Sequence, residues 1–312
     1  MIGFQHVDNI GDKSSISLLE DNIKSFLDYG FLKIGGFIDV NIPSSGLYGG
    51  DFSTLKIGFD PIRPTGCLWE TPRKDWVYES GICHSGRCPI NISGIYFNNT
   101  FYSAPTGNSS FPFHLNYRDG QVVFPTAKPQ SSSIKLNYSY RYIQVYKSNE
   151  SPWFKEIQQN SFNPTLINKV NGQIITANHR IQLPCIVVQM ISRTSQDPYQ
   201  LGTTDNIISQ DVLLHVYSEN PVQRDTIMDT LILQKDNESF LYDINKVIKN
   251  NVNGLNYNGS INSSGLKYDQ ILSDTQYISK TYYISDASIS EISTISSSLY
   301  NGIVRWTIKI YP

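Results

Sequence analysis

Two cysteines and a histidine lie close together in the chain and are the residues best suited to chemistry. Cys83 and His84 are adjacent, and Cys88 follows after a short Ser-Gly-Arg turn. Cysteine and histidine are preferred zinc ligands, and Cys67 would complete a set of four. The spacing is irregular, and adjacent Cys and His side chains seldom bind one ion together. We expect free structural thiols, with a disulfide across the turn and a metal site as the alternatives.

The acidic residues and the other histidines form no familiar catalytic or metal-binding pattern. Asp197, Asp205 and Asp211 do not have the spacing of a calcium loop, so we interpret them as solvated acids. His215 falls on the same face of a predicted strand as Asp211, where a structural or interfacial role is the usual one. The sequence contains no nucleophilic serine in a sharp strand-to-helix turn. It therefore predicts no enzyme, no cofactor and no metal site.

Two further features have ordinary structural interpretations. The glycine-rich stretch at 45–51 lacks the Gly-Lys-Ser/Thr ending of a phosphate-binding loop and is expected to be a turn. The fourth cysteine, Cys185, lies in an apolar run and is expected to be a small buried hydrophobe. Neither feature favours a catalytic or nucleotide-binding function.

The composition of the 312 residues argues against a protein that grips nucleic acid. The formal net charge is −2, and there is no basic cluster that would neutralise phosphates. Tyrosine is abundant, with 20 residues, and serine and asparagine are frequent. Such charge-poor surfaces suit contacts with other proteins, although an AT-rich genome would produce the same bias.

The start of the chain lacks the positive and apolar regions of a secretory signal. No apolar run approaches the roughly 20 residues that a membrane-spanning helix needs. We therefore expect a protein that is made and folded in the cytosol and that has no membrane partner.

Residues 183–234 are the most regular part of the chain and predict a strand, a loop, a second strand and a helix. The apolar run at 184–191 is typical of a strand that is covered on both faces. A long polar loop is predicted at 194–206. Residues 207–217 then alternate between apolar and polar, as in a half-buried strand.

The helix that ends this segment has a clear start. Pro221 suits the first turn of a helix, and the residues before it are good N-caps. Val222, Ile227 and Leu231 are expected to form an apolar stripe, with Arg224 on the polar side. A small sheet packed on one helix is therefore the predicted scaffold.

Other helices and strands are predicted outside this segment. A helix at 16–28 is expected to end at Gly30. Residues 115–124 predict a hairpin around an Asp-Gly turn, and residues 134–146 predict one long strand. The remaining predictions are a strand at 31–42, short strands at 76–78 and 95–97, short helices at 153–157 and 240–249, and strands at 276–284 and 299–310.

These elements favour an α+β fold, with a small mixed or antiparallel sheet covered by helices and a large β-rich insertion. Residues 1–42 would supply the first helix and strand of the core domain, and residues 43–150 the insertion. Residues 151–182 are interpreted as a linker with a short helix, and residues 183–312 complete the core. No repeat of fixed period is present in the sequence, which argues against solenoids and propellers.

Five segments together carry a resemblance to a known family. They are a helix, two strands, the loop between the strands and a covering helix, at 18–27, 183–188, 210–216, 197–202 and 224–231. Their order resembles that of virion structural proteins at the head–tail junction of tailed bacteriophages, in particular the tail-terminator and neck proteins of contractile-tailed phages. The hairpin and strand at 117–146 also look like β-modules of such proteins.

The resemblance implies a ring of about six copies that caps the tail tube or sheath, docks the tail to the head and surrounds the DNA channel. The partners would be other copies of the chain, other neck, tail-tube or sheath proteins, and DNA that passes without sequence-specific binding. The protein would be located in the virion, after assembly in the host cytoplasm. The residues expected to make contacts between subunits or between rings are Asp197, Tyr199, Leu201, Asp205, Tyr138, Tyr140 and Tyr142.

Two other functions stay open on the sequence alone. The stretch 43–146, rich in Tyr, Ser and Asn, is consistent with a baseplate or tail-fibre protein that binds a host surface. Such proteins are usually trimers with repeats, which the sequence lacks. A cell-wall hydrolase would need an acid/base pair or a metal site, and the sequence offers neither.

Overall fold

The structure is a computed structural model that describes residues 15–42, 51–104, 111–151, 153–154, 169–170, 173–174, 181–199 and 206–311. The described chain is mostly β, with 41% of its residues in strands and 18% in helices. Its largest sheet curls into a half-barrel. The predicted α+β fold, a small sheet covered by helices, is therefore wrong.

Four α-helices are described, and they are numbered in chain order. They are α1 (Ser15–Lys33), α2 (Pro221–Ile232), α3 (Ile244–Lys249) and α4 (Tyr268–Ser273). The strands are β1 (Phe37–Val40), β2 (Lys56–Ile57), β3 (Leu68–Glu70), β4 (Gly94–Phe97), β5 (Thr100–Ser103), β6 (His114–Asn116), β7 (Gln121–Val123), β8 (Ile134–Lys135), β9 (Tyr138–Arg141), β10 (Gln144–Lys147), β11 (Lys169–Val170), β12 (Gln173–Ile174), β13 (Cys185–Pro198), β14 (Asn206–Ser218), β15 (Glu238–Tyr242), β16 (Ile278–Ser296) and β17 (Leu299–Tyr311).

The chain divides into two compact units, and each is interrupted in sequence. The first, here called the sheet unit, comprises residues up to Asp28, Ile143–Val247 and Tyr268–Pro312. The second, here called the turn-rich unit, comprises Tyr29–Tyr142 and Ile248–Lys267. The predicted insertion at 43–150 overlaps the turn-rich unit. The predicted linker at 151–182 lies largely outside the described residues.

The sheet unit is built on a six-stranded sheet with the order β10-β13-β14-β17-β16-β15. β10 runs parallel to β13, and every other neighbouring pair is antiparallel. The predicted strands at 184–191, 207–217 and 299–310 are confirmed as β13, β14 and β17. The strand predicted at 276–284 is β16, but it continues to Ser296.

The helix predicted after Pro221 is confirmed as α2, which packs on the central strands. The Asn220 side chain accepts a hydrogen bond from the Val222 amide at 2.9 Å and so caps the helix. Trp306 Nε1 donates to the Leu231 carbonyl at 3.0 Å. A Cβ atom at Gly302 would lie 2.1 Å from the Met228 sulfur, so only glycine permits this close packing.

The predicted faces of α2 are wrong at two positions. The predicted apolar stripe includes Val222, which is 70% exposed, and the predicted polar side includes Arg224, which is buried. The Arg224 guanidinium donates to the carbonyls of Ser293 and Asn301. Because these carbonyls satisfy its N–H groups, the side chain lies against the sheet together with its aliphatic stem.

α1 continues beyond its predicted end at Gly30 and stops at Lys33. Phe31 and Leu32 are buried and extend the apolar stripe of the helix by another turn. The helix ends where Gly35 adopts a positive φ of 86°. The Gly35 amide donates to the Leu32 carbonyl, and the Gly36 amide donates to the Phe31 carbonyl. These two hydrogen bonds form the Schellman pattern.

The turn-rich unit contains only short strands within its described residues. They form a four-stranded sheet (β2-β3-β7-β6), a three-stranded sheet (β5-β4-β8) and the pair β1-β9. The predicted hairpin around the Asp-Gly turn is confirmed as β6 and β7, with Gly120 at a φ of 64°. The fully buried core includes Trp76, Phe124, Ile134, Leu136 and Tyr138.

The single strand predicted at 134–146 is wrong, because this stretch forms three short strands in three sheets. β8 pairs with β4, β9 pairs with β1, and β10 joins β13. The alternating aromatic residues predict that only one face of this strand is buried. Ser139 and Arg141 on the other face are also buried, so both faces of β9 are covered.

The helix predicted at 240–249 is only half correct. Its first part is strand β15, which pairs with β16. The helix α3 begins at Ile244, where the Asp243 side chain accepts a hydrogen bond from the Asn245 amide at 2.9 Å. Pairing with a neighbouring strand therefore overrides the local helical pattern.

Candidate assembly interface

The residues of the cysteine and histidine cluster form structural contacts. Cys83 and Cys88 form a disulfide, so the expectation of free thiols at these positions is wrong and the alternative disulfide is correct. Cys67 and Cys185 are free and buried. His84 Nδ1 lies 3.2 Å from the Lys33 carbonyl. Among the described residues, no group of three or more His, Cys, Asp and Glu side chains is arranged to hold a metal ion.

Asp211 and His215 lie on the same strand but have separate partners. Asp211 accepts hydrogen bonds from Arg305 and, at 2.7 Å, from the Thr307 hydroxyl. His215 Nε2 lies 2.8 Å from Gln189 Oε1. Burial lowers the pKa of His215 to about 4, so the ring is neutral at physiological pH. Each of the two side chains is therefore held by its own hydrogen-bond partners.

The predicted contact residues fall in different parts of the chain. Tyr138 and Tyr140 are buried in the core of the turn-rich unit, and Tyr142 is half-buried. The Tyr138 hydroxyl donates to the Phe52 carbonyl at 2.9 Å. Tyr138 and Tyr140 are therefore core residues of their own unit and do not form an exposed contact surface.

Asp197 and Tyr199 are exposed at the end of β13, and Leu201 and Asp205 lie outside the described residues. Tyr199 packs edge-on against Tyr311, with ring centroids 6.4 Å apart. The predicted loop at 194–206 is too long, since β13 reaches Pro198 and β14 begins at Asn206. Of the predicted contact residues in this segment, Asp197 therefore lies in strand β13 and not in a loop.

The two outer long strands of the half-barrel are only partly covered by neighbours. β15 pairs with β16 only as far as Tyr283. From Ser285 to Ser296, β16 has no strand on its outer side among the described residues. We call residues 285–296 the β16 notch. Apart from the Ser293 carbonyl, which Arg224 contacts, its outward backbone groups have no described strand to pair with and are a template for another strand.

β13 has the same property at its other end. β10 pairs with β13 only from Cys185 to Val188. Beyond Gln189, β13 pairs with β14 on one side and with no described strand on the other, and the 3-10 turn Ser148–Glu150 also contacts β13. We call residues 190–198 the β13 notch.

The notches lie at opposite corners of the sheet, as the registers of the strands demonstrate. One row of paired residues crosses five strands from β10 to β16, namely Lys147, Val188, Leu214, Val304 and Ile289. A second row crosses five strands from β13 to β15, namely Gln196, Ile208, Ile310, Tyr282 and Ser239. The two rows are equally wide but offset by one strand, which gives the sheet a stepped outline.

The β16 notch carries exposed apolar side chains. Ile289 is 44% exposed and Ile292 is 55% exposed. Both lie on the face that carries Val304 and Gly302, the face on which α2 packs. Exposed apolar residues beside unpaired backbone are typical of a surface that another chain covers.

Sequence periodicity missed the β16 notch because β16 contains β-bulges. The register shifts between Ile284 and Asp286 and again between Ile289 and Glu291. Each bulge adds one residue, so the spacing of apolar residues on one face changes from two to three. Ile284, Ala287, Ile289 and Ile292 therefore share a face although their spacing is not that of a regular strand. This irregular spacing is the only signal that the sequence offers.

The other face of the central strands is buried at one end, where Phe154 covers Val187 and Tyr217, and is polar and partly exposed at the other end. It carries Arg305, Thr307 and Lys309 of β17, with Asp211 of β14 beside them. The Arg305 charge is balanced by Asp211. Among the described residues at this end of the face, Arg305 is therefore paired, whereas Lys309 forms no ion pair.

Comparisons with known proteins supply no family for this chain. A scan against protein-family models finds no match. A search of curated proteins finds no significant match either. Among the described helices, none has the length and apolar character needed to cross a bilayer. A function must accordingly be argued from the sites themselves.

Proposed function

We propose that this protein is a virion structural protein of a tailed bacteriophage. It forms a ring of about six copies in the neck, as a tail terminator that joins the tail to the head and surrounds the DNA channel. It has no catalytic role. The observation that carries this proposal is the pair of open notches at opposite corners of the six-stranded sheet.

Open edges at both sides of one sheet favour repeated self-association. A surface on one side of the subunit that binds a different surface on the other side gives a head-to-tail contact, which closes into a ring when the rotation per copy allows. A single open edge would favour a dimer instead. Ring closure also covers unpaired edges, which would otherwise promote aggregation.

The charge balance at the polar end of this face of the sheet supports a role beside DNA. Lumen walls that carry many unpaired cations would bind phosphates and slow the passage of DNA. Here Arg305 is paired with Asp211, and the chain as a whole carries a formal net charge of −2. The assignment to a phage neck rests on the resemblance in the order of elements, and the partners that follow from it are other neck, tail-tube or sheath proteins.

The assembly state tests this proposal. We expect native mass measurement and electron microscopy of the purified protein to detect closed rings of about six copies. Ile292→Lys places a charge in the β16 notch and should shift the protein to monomers. Val222→Lys is the matched control, because it adds the same charge at an exposed apolar residue of α2. A wild-type protein that stays monomeric at all concentrations would overturn the proposal.

A second candidate is a baseplate or tail-fibre protein that binds a host surface. It is favoured by exposed apolar residues on the turn-rich unit, where Phe59 is 76% exposed and Ile62 is 90% exposed. Such residues are typical of binding surfaces. A trimer in the mass measurement, together with loss of host-cell binding in Phe59→Ser, would favour this function over the ring.

A further inference from the structure

We propose that the Cys83–Cys88 disulfide is a redox switch that stabilises the junction between α1 and β1. In an oxidising medium the bond closes the turn at 83–88 and keeps it packed on this junction. In a reducing medium the bond opens and the junction becomes less stable. The switch lies within the turn-rich unit and does not depend on the proposed ring.

The two cysteines of the switch are accessible from solution. Both are exposed, whereas the free cysteines Cys67 and Cys185 are buried. A small thiol or disulfide can therefore reach Cys83 and Cys88 in the folded protein. Exposed disulfides are the ones that exchange readily, whereas structural disulfides resist reduction by glutathione. This exposure favours a bond that follows the redox state of its surroundings over a permanent staple.

The turn at 83–88 is built to persist without the bond. His84 and Arg87 exchange two backbone hydrogen bonds, at 2.8 and 2.9 Å, and the two residues between them have positive φ values of 49° and 79°. Two positive φ values are the type I′ geometry that favours a two-residue hairpin turn. Cys83 and Cys88 flank this turn with their Cα atoms 4.2 Å apart, so the reduced thiols stay side by side. The bond can therefore open and close without unfolding of the chain.

His84 connects the turn to the C-terminal end of α1. The last four carbonyls of a helix have no partner within the helix. Those of residues 30–32 accept hydrogen bonds from the amides of residues 34–36. The Lys33 carbonyl lies 3.2 Å from His84 Nδ1 and accepts a hydrogen bond when that nitrogen carries a proton. A Cβ atom at Gly35 would lie 3.0 Å from the His84 ring, so the ring lies directly on the bend after the helix.

Arg87 connects the same turn to the start of β1. Its guanidinium lies over the buried Phe37 ring, 5.0 Å from the centroid. It also donates to the Asp39 carboxylate at 3.2 Å and to the Phe37 carbonyl at 3.3 Å. Because the disulfide restricts the backbone of the turn, His84 and Arg87 lose less entropy when they make these contacts.

The bond closes by exchange with a small disulfide, for which oxidised glutathione is the probe. The thiolate of one cysteine attacks a glutathione sulfur and releases one reduced glutathione, and the second cysteine then attacks the mixed disulfide and releases the other. The Cys83–Cys88 bond forms and the glutathione S–S bond breaks. Two electrons pass from the cysteines to glutathione, and the two cysteine protons end on the two glutathione thiols. Reduced glutathione reverses each step.

Alkylation in glutathione buffers measures the bond in the native full-length chain. The protein is equilibrated at graded ratios of reduced to oxidised glutathione and alkylated, and the masses of its peptides are measured. We expect Cys83 and Cys88 to pass from bonded to alkylated at millimolar reduced glutathione, while Cys67 and Cys185 stay unmodified. A bond that is reduced only after denaturation would overturn the proposal and identify a permanent staple.

Hydrogen exchange measures the effect of the bond on the junction. Amides of residues 34–37 should exchange about tenfold faster in the reduced than in the oxidised wild type, and those of the β6–β7 hairpin should not change. Cys83→Ser/Cys88→Ser is the matched control and should exchange at the reduced rate in both media. His84→Ala should exchange fast at 34–37 even with the bond closed, because the Lys33 carbonyl has lost its partner. An unchanged rate at 34–37 in the wild type, or an equal redox response in the double serine variant, would overturn the proposal.

Discussion

The two units of this chain use β-structure in opposite ways. The turn-rich unit contains described strands of at most four residues, distributed over three small sheets. The sheet unit contains four strands of 13 to 19 residues in one curled sheet. Among the described residues, the first unit pairs its short strands through many turns, whereas the second has long stretches of two outer strands with no strand on their outer side. The proposed assembly therefore depends on the sheet unit and not on the turn-rich unit.

The contents of the two cores match this difference. The turn-rich unit buries a cluster of aromatic rings and an ion group in which Arg141 contacts both Glu79 and Asp75. The sheet unit buries mainly aliphatic residues of β13, β14 and β17, with Trp306 at the centre.

The largest effect is expected when the central tryptophan of either unit is removed. Trp76→Ala and Trp306→Ala should each lower the free energy of unfolding by about 3–5 kcal/mol, because each deletes a fully buried ring. Each also removes an indole donor, to Thr71 and to Leu231 respectively. Urea unfolding measures the loss, and hydrogen exchange locates it.

The two tryptophan variants should differ in location. Trp76→Ala should expose amides of the turn-rich unit first, and Trp306→Ala those of the sheet unit. If Trp76→Ala lowers protection in β14 and β17 as much as in β3 and β7, the two units unfold as one and the comparison fails.

A nearly equal effect is expected from the buried arginine of the turn-rich unit. Arg141→Met leaves the carboxylate of Glu79 buried without its partner and should cost about 3–5 kcal/mol. Lys24→Met in the sheet unit is the matched control. It breaks a helical pair with Asp28 and should cost about 0.5 kcal/mol or less, because half-exposed i,i+4 pairs contribute little. Equal losses in thermal unfolding would contradict the assignment of a buried ion group.

The sheet unit should be the more acid-sensitive of the two because of His215. Burial lowers the pKa of His215 from 6.5 to about 4, so the unfolded chain binds a proton more readily between these values. Stability is therefore fully present above about pH 6.5 and is lost as the pH falls toward 4, by about 3 kcal/mol in total.

His215→Gln tests this pH dependence, since glutamine does not titrate. The variant should show a flatter stability profile between pH 6.5 and 4 than the wild type. His114→Gln in the turn-rich unit is the comparison, because burial also lowers the pKa of His114, which is only half-buried. A profile that His215→Gln leaves unchanged would mean that another group causes the acid loss.

The smallest effect is expected at the N-cap of α2. Asn220→Ala removes the acceptor for the Val222 amide and should cost about 1 kcal/mol, whereas Asn220→Ser should cost much less. The loss should be confined to the sheet unit in hydrogen exchange. Equal stability of the alanine and serine variants would show that the cap contributes nothing.

Regular local patterns allowed part of the fold to be predicted from sequence. β13, β14, β17 and α2 were found because their apolar residues keep the spacing of a strand or helix over at least two turns or pleats. The β6–β7 hairpin was found because its Asp-Gly turn specifies a positive φ at Gly120. The faces of α2 could not be predicted in this way, because Arg224 is buried against carbonyls of β16 and β17, which are distant in sequence.

The candidate interface was accessible to sequence reasoning only at one end. Asp197 and Tyr199 were singled out and are exposed at the end of β13. Tyr138 and Tyr140 were singled out on the same reasoning but are core residues, because β9 is covered on both faces. The β16 notch could not be predicted, because the bulges in β16 disturb the alternation of apolar residues that identifies a strand. In addition, whether a strand lies at an edge depends on its neighbours in the fold and not on its own sequence.

The sequence by itself determined the positions of β13, β14, β17 and α2, the residue at which α2 begins and the hairpin that turns tightly. These features depend on residues within a few positions of each other. The tertiary structure alone decided the order of the six strands, the division of 134–146 among three sheets and the position of the two notches. Strand pairing joins residues far apart in the chain, as when β10 meets β13 and β15 covers only part of β16. No local pattern encodes which stretch of a strand will be left without a neighbour.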